Sequence, residues 1–310
     1  MSTILRRALN VVLVSSVTLG ALAAAPPGRR DDVPHFVAFT PSYGFQHDGV
    51  QEATAILQQL ARNSGEFTVE VSSDPAIFAP QTYARVDGFI LPNNTGLGSD
   101  ASPLTDAQRQ DFLGFVAGGG MVVAVHATAD SGGGWEEFDA MLGSTGFDMH
   151  PHLSLEARDN PAGREAFNPA FVTDVVVQVE QPDHVTATPW QGFESFRITD
   201  EIYRWAGDPR ADESLTVVLS LDEESHYWRS EIGPGPAAGG LSPTLGNPVS
   251  NPLNATPAGM PDDSPISWVK PFGDGAVFYT NLGHNMATWE RADFQEHLSQ
   301  GIHWVASEAS

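Results

Sequence analysis

The chain contains no cysteine, so disulfides, thiolate metal sites and every cysteine nucleophile are excluded. Lysine is almost absent as well: Lys270 is the single one, and no Gly-Lys-Ser/Thr motif accompanies it, which removes Walker-type phosphate binding and leaves one candidate for Schiff-base chemistry. Positive charge is scarce altogether. Fifteen Lys and Arg face thirty-nine Asp and Glu, a formal charge of −24. A field of that sign repels nucleic acid and anionic lipid, so neither is an expected partner, whereas neutral or cationic ligands are compatible with it.

Long apolar runs are also lacking after the first segment. There, Arg6-Arg7 precedes a mostly apolar stretch from Ala8 to Leu22 and a run Ala23-Ala24-Ala25 before Pro26, the layout of a secretory signal. Asn10, Ser15, Ser16, Thr18 and Gly20 interrupt the stretch, which falls short of the roughly 20 apolar residues a membrane span requires. The expectation is a signal peptide over 1–25, a short irregular start over 26–32, a single domain over 33–306, a secreted or periplasmic location, and no membrane insertion after cleavage. Asn93-Asn94-Thr95 and Asn254-Ala255-Thr256 read as glycosylation sequons, relevant only in a eukaryotic source.

Apolar periodicity organises the remainder. Strand patterns at His35–Thr40, Thr68–Val71, Gly88–Leu91 and Met121–Val125 alternate with helical patterns at Val50–Leu60 and Thr105–Val116, the second capped by Thr105. Such alternation predicts an α/β fold: a mostly parallel, flavodoxin-like sheet with helices on both faces. From Phe147 to Leu221, strand-like segments succeed one another with few helices between them and predict an antiparallel extension or lid. Residues 232–263 are rich in Pro, Gly, Ser and Asn and read as a long loop. Ile266–Val269, Ala276–Thr280 and a helix over Ala292–Val305 read as a return to the α/β style.

In an open parallel sheet, ligands bind beyond the carboxyl ends of the strands. The polar residues just past the predicted strands are therefore the candidates: Ser42 through Asp48, with His47 and Asp48; Asn93, Asn94 and Thr95; His126 through Asp130; and Asn281 through His284. Helix caps and turns would account for any one of them, but not for histidines recurring at three sheet ends. Gly118-Gly119-Gly120 precedes a strand and is a turn, not a dinucleotide fingerprint.

In chain order, Phe45-x-His47-Asp48, Asn94-Thr95-Gly96, Gly118-Gly119-Gly120 leading to Val125-His126, His150-Pro151, Asp200-Glu201-x-Tyr203, Val277-Phe278-Tyr279 and Leu282-Gly283-His284 resemble the ThuA-like (trehalose utilisation) family over about Val33 to Ala306. The resemblance implies a fold similar to class I glutamine amidotransferases and a place in sugar metabolism, including oxidised keto-glycosides. Amidotransferase chemistry is excluded, because His126 stands at the end of the corresponding strand and there is no cysteine. Where the family often has His-Pro-Ile-x-Trp this chain has Ser264-Pro265-Ile266-Ser267-Trp268, so no role for that histidine carries over.

These residues are compatible with three functions. The first is an enzyme acting on a disaccharide or keto-glycoside, with His126, Asp130 and His47 as catalytic acid/base candidates, and Asp48, Asn94, Thr95, Glu201, Tyr203 and His284 binding substrate. The second is a metal-dependent hydrolase or lyase in which His47, His126 and His284 converge on a divalent ion such as zinc. The third is a non-catalytic sugar-binding or scaffold protein using Trp135, Tyr203, Trp228 and Trp289 as stacking faces.

Overall fold

The computed structural model describes residues 33–149, 152–154, 173–222, 226–228 and 264–309. Its strands in chain order are β1 (His35–Phe39), β2 (Thr68–Ser72), β3 (Gly88–Pro92), β4 (Met121–Val125), β5 (Phe147–Met149), β6 (His152–Ser154), β7 (Thr173–Val179), β8 (Ser195–Asp200), β9 (Arg204–Trp205), β10 (Thr216–Leu221), β11 (His226–Trp228), β12 (Pro265–Phe272) and β13 (Gly275–Thr280). Nine of them form one open sheet in the order β2-β1-β3-β4-β13-β12-β10-β7-β8. The first five in that order are parallel, and every later pairing is antiparallel. Two small antiparallel pairs, β11 with β6 and β5 with β9, stand beside it.

The central strands are apolar throughout because both faces are covered. Phe36 and Ala38 of β1 enter one core layer with Ala53 and Leu57 of α1 (Val50–Ser64), while Val37 and Phe39 enter the other with Phe112 of α3 (Asp106–Ala117). A capping box starts α3, since Thr105 Oγ1 accepts the Gln108 amide and the Gln108 side chain accepts the Thr105 amide. Three further helices are α2 (Pro80–Tyr83), α4 (Glu136–Leu142) and α5 (Met286–Trp289). The last, α6 (Ala292–Glu308), presents Phe294, Leu298, Ile302 and Val305 to the first layer.

The middle of the chain is an antiparallel extension of the same sheet. Two expectations are corrected there. β8 had no counterpart in the strand reading, because its alternating Ser195-Phe196-Arg197-Ile198-Thr199-Asp200 lacks a continuous apolar run. β12 is antiparallel to both neighbours, so the return to parallel style begins only at β13. His150, Pro151 and the 232–263 loop lie outside the described residues, as does everything before Val33. Among the described residues no helix is long and apolar enough to cross a membrane.

Strand order reverses between β1 and β3, the switch point at which loops part and leave a crevice. β8 sits four places from β13 in the sheet order, roughly 19 Å if the sheet were flat at the usual strand spacing. Yet the Asp200 carboxylate at its end accepts the Gly283 amide at 2.7 Å. The loop after β13 and the end of β8 thus meet at the carboxyl edge of the sheet.

Candidate functional site

At the end of β4 the chain turns sharply, and His126 takes φ 44° to do so. A non-glycine residue there costs on the order of 1–3 kcal/mol and persists only where its surroundings enforce it. The Tyr279 hydroxyl, from the neighbouring β13, donates to the His126 carbonyl at 2.9 Å. The ring is wholly buried, and its Nδ1 lies 2.7 Å from the Asn281 carbonyl. A carbonyl only accepts, so Nδ1 carries the proton and a neutral His126 presents a bare Nε2.

That Nε2 meets Glu201 Oε2 at 3.1 Å and His284 Nδ1 at 3.2 Å, and the last two are 3.0 Å apart. Burial pulls the His284 imidazole down, but Glu201's hydrogen bond and charge, joined by Asp200 and Asp48, outweigh it and raise its pKa. His47, buried in the loop after β1, completes the group. Its ring centroid lies 5.4 Å from that of His126 and 5.1 Å from that of His284, while those two are 5.1 Å apart. One ligand-type atom from each of His47, His126, Glu201 and His284 falls within a sphere where all lie within 4.8 Å of one another, so these are the residues that could hold a metal ion.

A second set of buried groups positions the first. Asp200 accepts hydrogen bonds from the amides of Gly283, His284 and Glu201 and from Asn285 Nδ2, which ties the β13 loop to the end of β8. The Asn281 side chain bridges the amide and carbonyl of Tyr203 at 3.0 Å each. Tyr203 packs its ring 4.4 Å from that of His126. Asn93, with φ 61°, donates to the Gly283 carbonyl at 2.9 Å.

The remaining candidates take different places. Asn94 and Thr95 are buried and bond to backbone: Asn94 Nδ2 to the carbonyls of Phe39 and Pro41, and Thr95 Oγ1 to that of Phe45. They brace the loop that carries His47. The fit is close enough that a Cβ on Gly96 would meet the Gly44 amide nitrogen at 2.7 Å. Asp48 is exposed and acts on His284 through its charge. Burial pushes the Asp130 carboxyl up to about 6, and the charges of Asp139 and Glu201 add to it.

Two corrections belong here. Trp135, Tyr203 and Trp289 are at most 3% exposed and offer no open stacking face; the exposed ring beside the site is Phe45, edge-on to His47. The side chain of Trp228 lies outside the described residues. Asn93 is 2% exposed and hydrogen-bonded, so its sequon is closed to glycosylation in the folded chain. Sequence reasoning placed Asn281 at the site edge but gave no role to Asp200 or Tyr279. The discoverable signal was Asp200, a carboxylate at the inward, period-two position after Phe196 and Ile198.

Residues 36–305 match the ThuA family, described as trehalose utilisation. The chain belongs to that family. No curated protein matches it by sequence. Among solved structures, this ThuA-family chain is similar to a ThuA-like protein of Bacteroides uniformis ATCC 8492, with 20% identity, TM-score 0.59 and coverage of 92% of this chain and 96% of that one. It is also similar to a ThuA-like protein of Parabacteroides merdae ATCC 43184, at 17% identity, TM-score 0.55 and coverage of 89% and 90%. At these identities the likeness is one of fold.

Proposed function

We propose that this ThuA-family chain is an enzyme performing proton-transfer chemistry on a small sugar or keto-sugar at the His126–Glu201–His284 group. The observation that supports it is the convergence of three histidines and a glutamate from four distant segments on one buried point at the carboxyl edge of the sheet, with His126 held in a strained turn. His126 Nε2 supplies a proton acceptor, His284 a proton held by Glu201, and Asp130 a carboxyl that changes charge near neutrality. The sugar class is suggested by the family description alone. The same proposal includes export from the cytoplasm, supported by the signal-like 1–25 segment.

Thermal unfolding of the chain against trehalose, other disaccharides and their keto derivatives tests this. A ligand at about 100 times its dissociation constant adds roughly 2.7 kcal/mol. At about 2 °C per kcal/mol for a chain of this size, that is a selective rise of roughly 5 °C. A selected sugar should then turn over, and His126→Gln should lower kcat by about a hundredfold or more. No shift across the panel sinks the sugar reading; an unchanged kcat sinks the role of His126.

A further inference from the structure

We infer that His126, Glu201 and His284, with His47 as a fourth and more distant donor, form a binding site for a divalent first-row transition-metal ion of the zinc class. This deepens the function proposed above and rests on it for the use of the site, but not for the geometry.

His126 Nε2, Glu201 Oε2 and His284 Nδ1 form a triangle whose edges are 3.0, 3.1 and 3.2 Å. All three edges are hydrogen-bond lengths, yet no distribution of protons satisfies all three while Glu201 is ionised. A proton on His284 Nδ1 leaves His126 Nε2 and Glu201 Oε2 facing each other with lone pairs. A proton on His126 Nε2 leaves the other two so opposed; a proton on Glu201 alone leaves the two ring nitrogens opposed, and only a neutral Glu201 together with one protonated histidine pairs every edge. Protons on both histidines set donor against donor. With Glu201 ionised one edge is always repulsive, at a point nearly sealed from water, where such a defect is costly.

A single cation that draws all three lone pairs inward satisfies every edge at once. Bonds of about 2.0–2.1 Å place ligand atoms roughly 3.3 Å apart around a tetrahedral ion and roughly 2.9 Å apart at right angles, and the three observed edges fall between those values. The donors are imidazole nitrogens and one carboxylate, a set that favours zinc and its neighbours over magnesium or calcium. Surrounding contacts have the form found behind metal ligands. His126 is fixed by its Nδ1–H bond to a carbonyl, and one buried carboxylate, Asp200, holds the backbone of both Glu201 and His284. The excess negative charge of the chain raises the local concentration of any cation.

A bound ion would supply Lewis acidity toward a carbonyl or hydroxyl oxygen. The histidines would then serve as ligands, so with the ion bound the proton acceptor of the proposed reaction would be a group other than His126 Nε2.

The test loads the full chain, stripped with a chelator and dialysed, with Zn2+ or Co2+. It reads bound ion by elemental analysis, the Co2+ visible absorption of an ordered site, and thermal stability. The expected result is one ion per chain, a Co2+ spectrum characteristic of nitrogen and oxygen donors, and a melting temperature raised by metal and lowered by chelator. Glu201→Gln and His284→Asn, which preserve polarity without adding bulk, should each weaken Zn2+ binding at least tenfold, and His47→Ala should weaken it less. His303→Ala, at a surface ion pair with Glu66, should leave binding unchanged. Absence of stoichiometric binding to the folded wild type, or binding unaltered in both Glu201→Gln and His284→Asn, overturns the inference. Sugar-dependent stabilisation that survives chelation, with no ion bound, would overturn the metal and leave the sugar reading standing. A confirmed metal site indifferent to every sugar would do the reverse.

Discussion

Replacing Asp200 with Asn should disturb the site more than any other near-isosteric change outside the four converging residues. Oδ2 of Asp200 accepts the Gly283 amide at 2.7 Å, while Oδ1 accepts the Glu201 amide at 3.0 Å, Asn285 Nδ2 at 3.1 Å and the His284 amide at 3.2 Å. Every one of these partners is a donor, the arrangement that suits an ionised carboxylate, while burial opposes the charge and raises the pKa. An asparagine has only one acceptor oxygen. Its better orientation keeps the three bonds at Oδ1 and turns an amide N–H toward the Gly283 N–H, orphaning a buried donor at about 1–3 kcal/mol. Loss of charge assistance weakens the other three, and relief from burying a charge offsets part of that. The expected net cost is about 2–4 kcal/mol, which at roughly 2 °C per kcal/mol lowers the melting temperature by about 4–8 °C. Calorimetry at neutral pH measures it. A variant melting within about 1 °C of wild type would refute the claim that Asp200 clamps the β13 loop to the end of β8.

Two further predictions concern buried groups away from the site. His297 on α6 is wholly buried, donates from Nδ1 to the Thr186 carbonyl, and is lowered to about 4 by burial. With an unfolded value near 6.5, it should subtract stability progressively as pH falls from about 6.5 toward about 4, roughly 2 kcal/mol of it between pH 7 and pH 5. Asp130 and Asp139, both raised to about 6 chiefly by burial, act with the opposite sign. The informative quantity is therefore the stability gap between wild type and His297→Gln in urea, which should narrow by that amount from pH 7 to pH 5; a constant gap would refute the assignment. Lys270, the lone lysine, buries its ammonium against the Ala140 carbonyl and Asp212. Because Asp212 is 38% exposed and the lysine 5%, Asp212→Asn strands a buried charge while Lys270→Met strands only a solvated one, so the first should be the more destabilising in urea unfolding. The reverse order would refute that view of the pair.

The parallel half and its loops were legible in the sequence because strands buried on both faces are continuous apolar runs, and the residues just past the end of each run can be read off directly. That is how His47, His126 and His284 could be placed on one edge from residue order alone. Glu201 was visible only through the family motif, and Asp200 carried no assigned role. β8 alternates instead of running apolar, and its contact with the β13 loop joins segments 83 residues apart, which no local pattern encodes. Asn94 and Thr95 show the converse failure. Turn-type polar residues at a strand end look the same in sequence whether they face a ligand or the backbone of the next loop, and only the 2.7 Å bond from Asn94 to the Pro41 carbonyl identifies them here as braces.

The two halves of the sheet thus contribute unequal kinds of information to one site. Three histidines come from the parallel half, where the fold alone brings strand ends together. The carboxylate beside them comes from the antiparallel half, directly after β8, where Asp200 accepts the Gly283 amide. The strain in His126 and the clamp at Asp200 belong to the same arrangement: the first aims a bare nitrogen inward, and the second delivers the groups it faces.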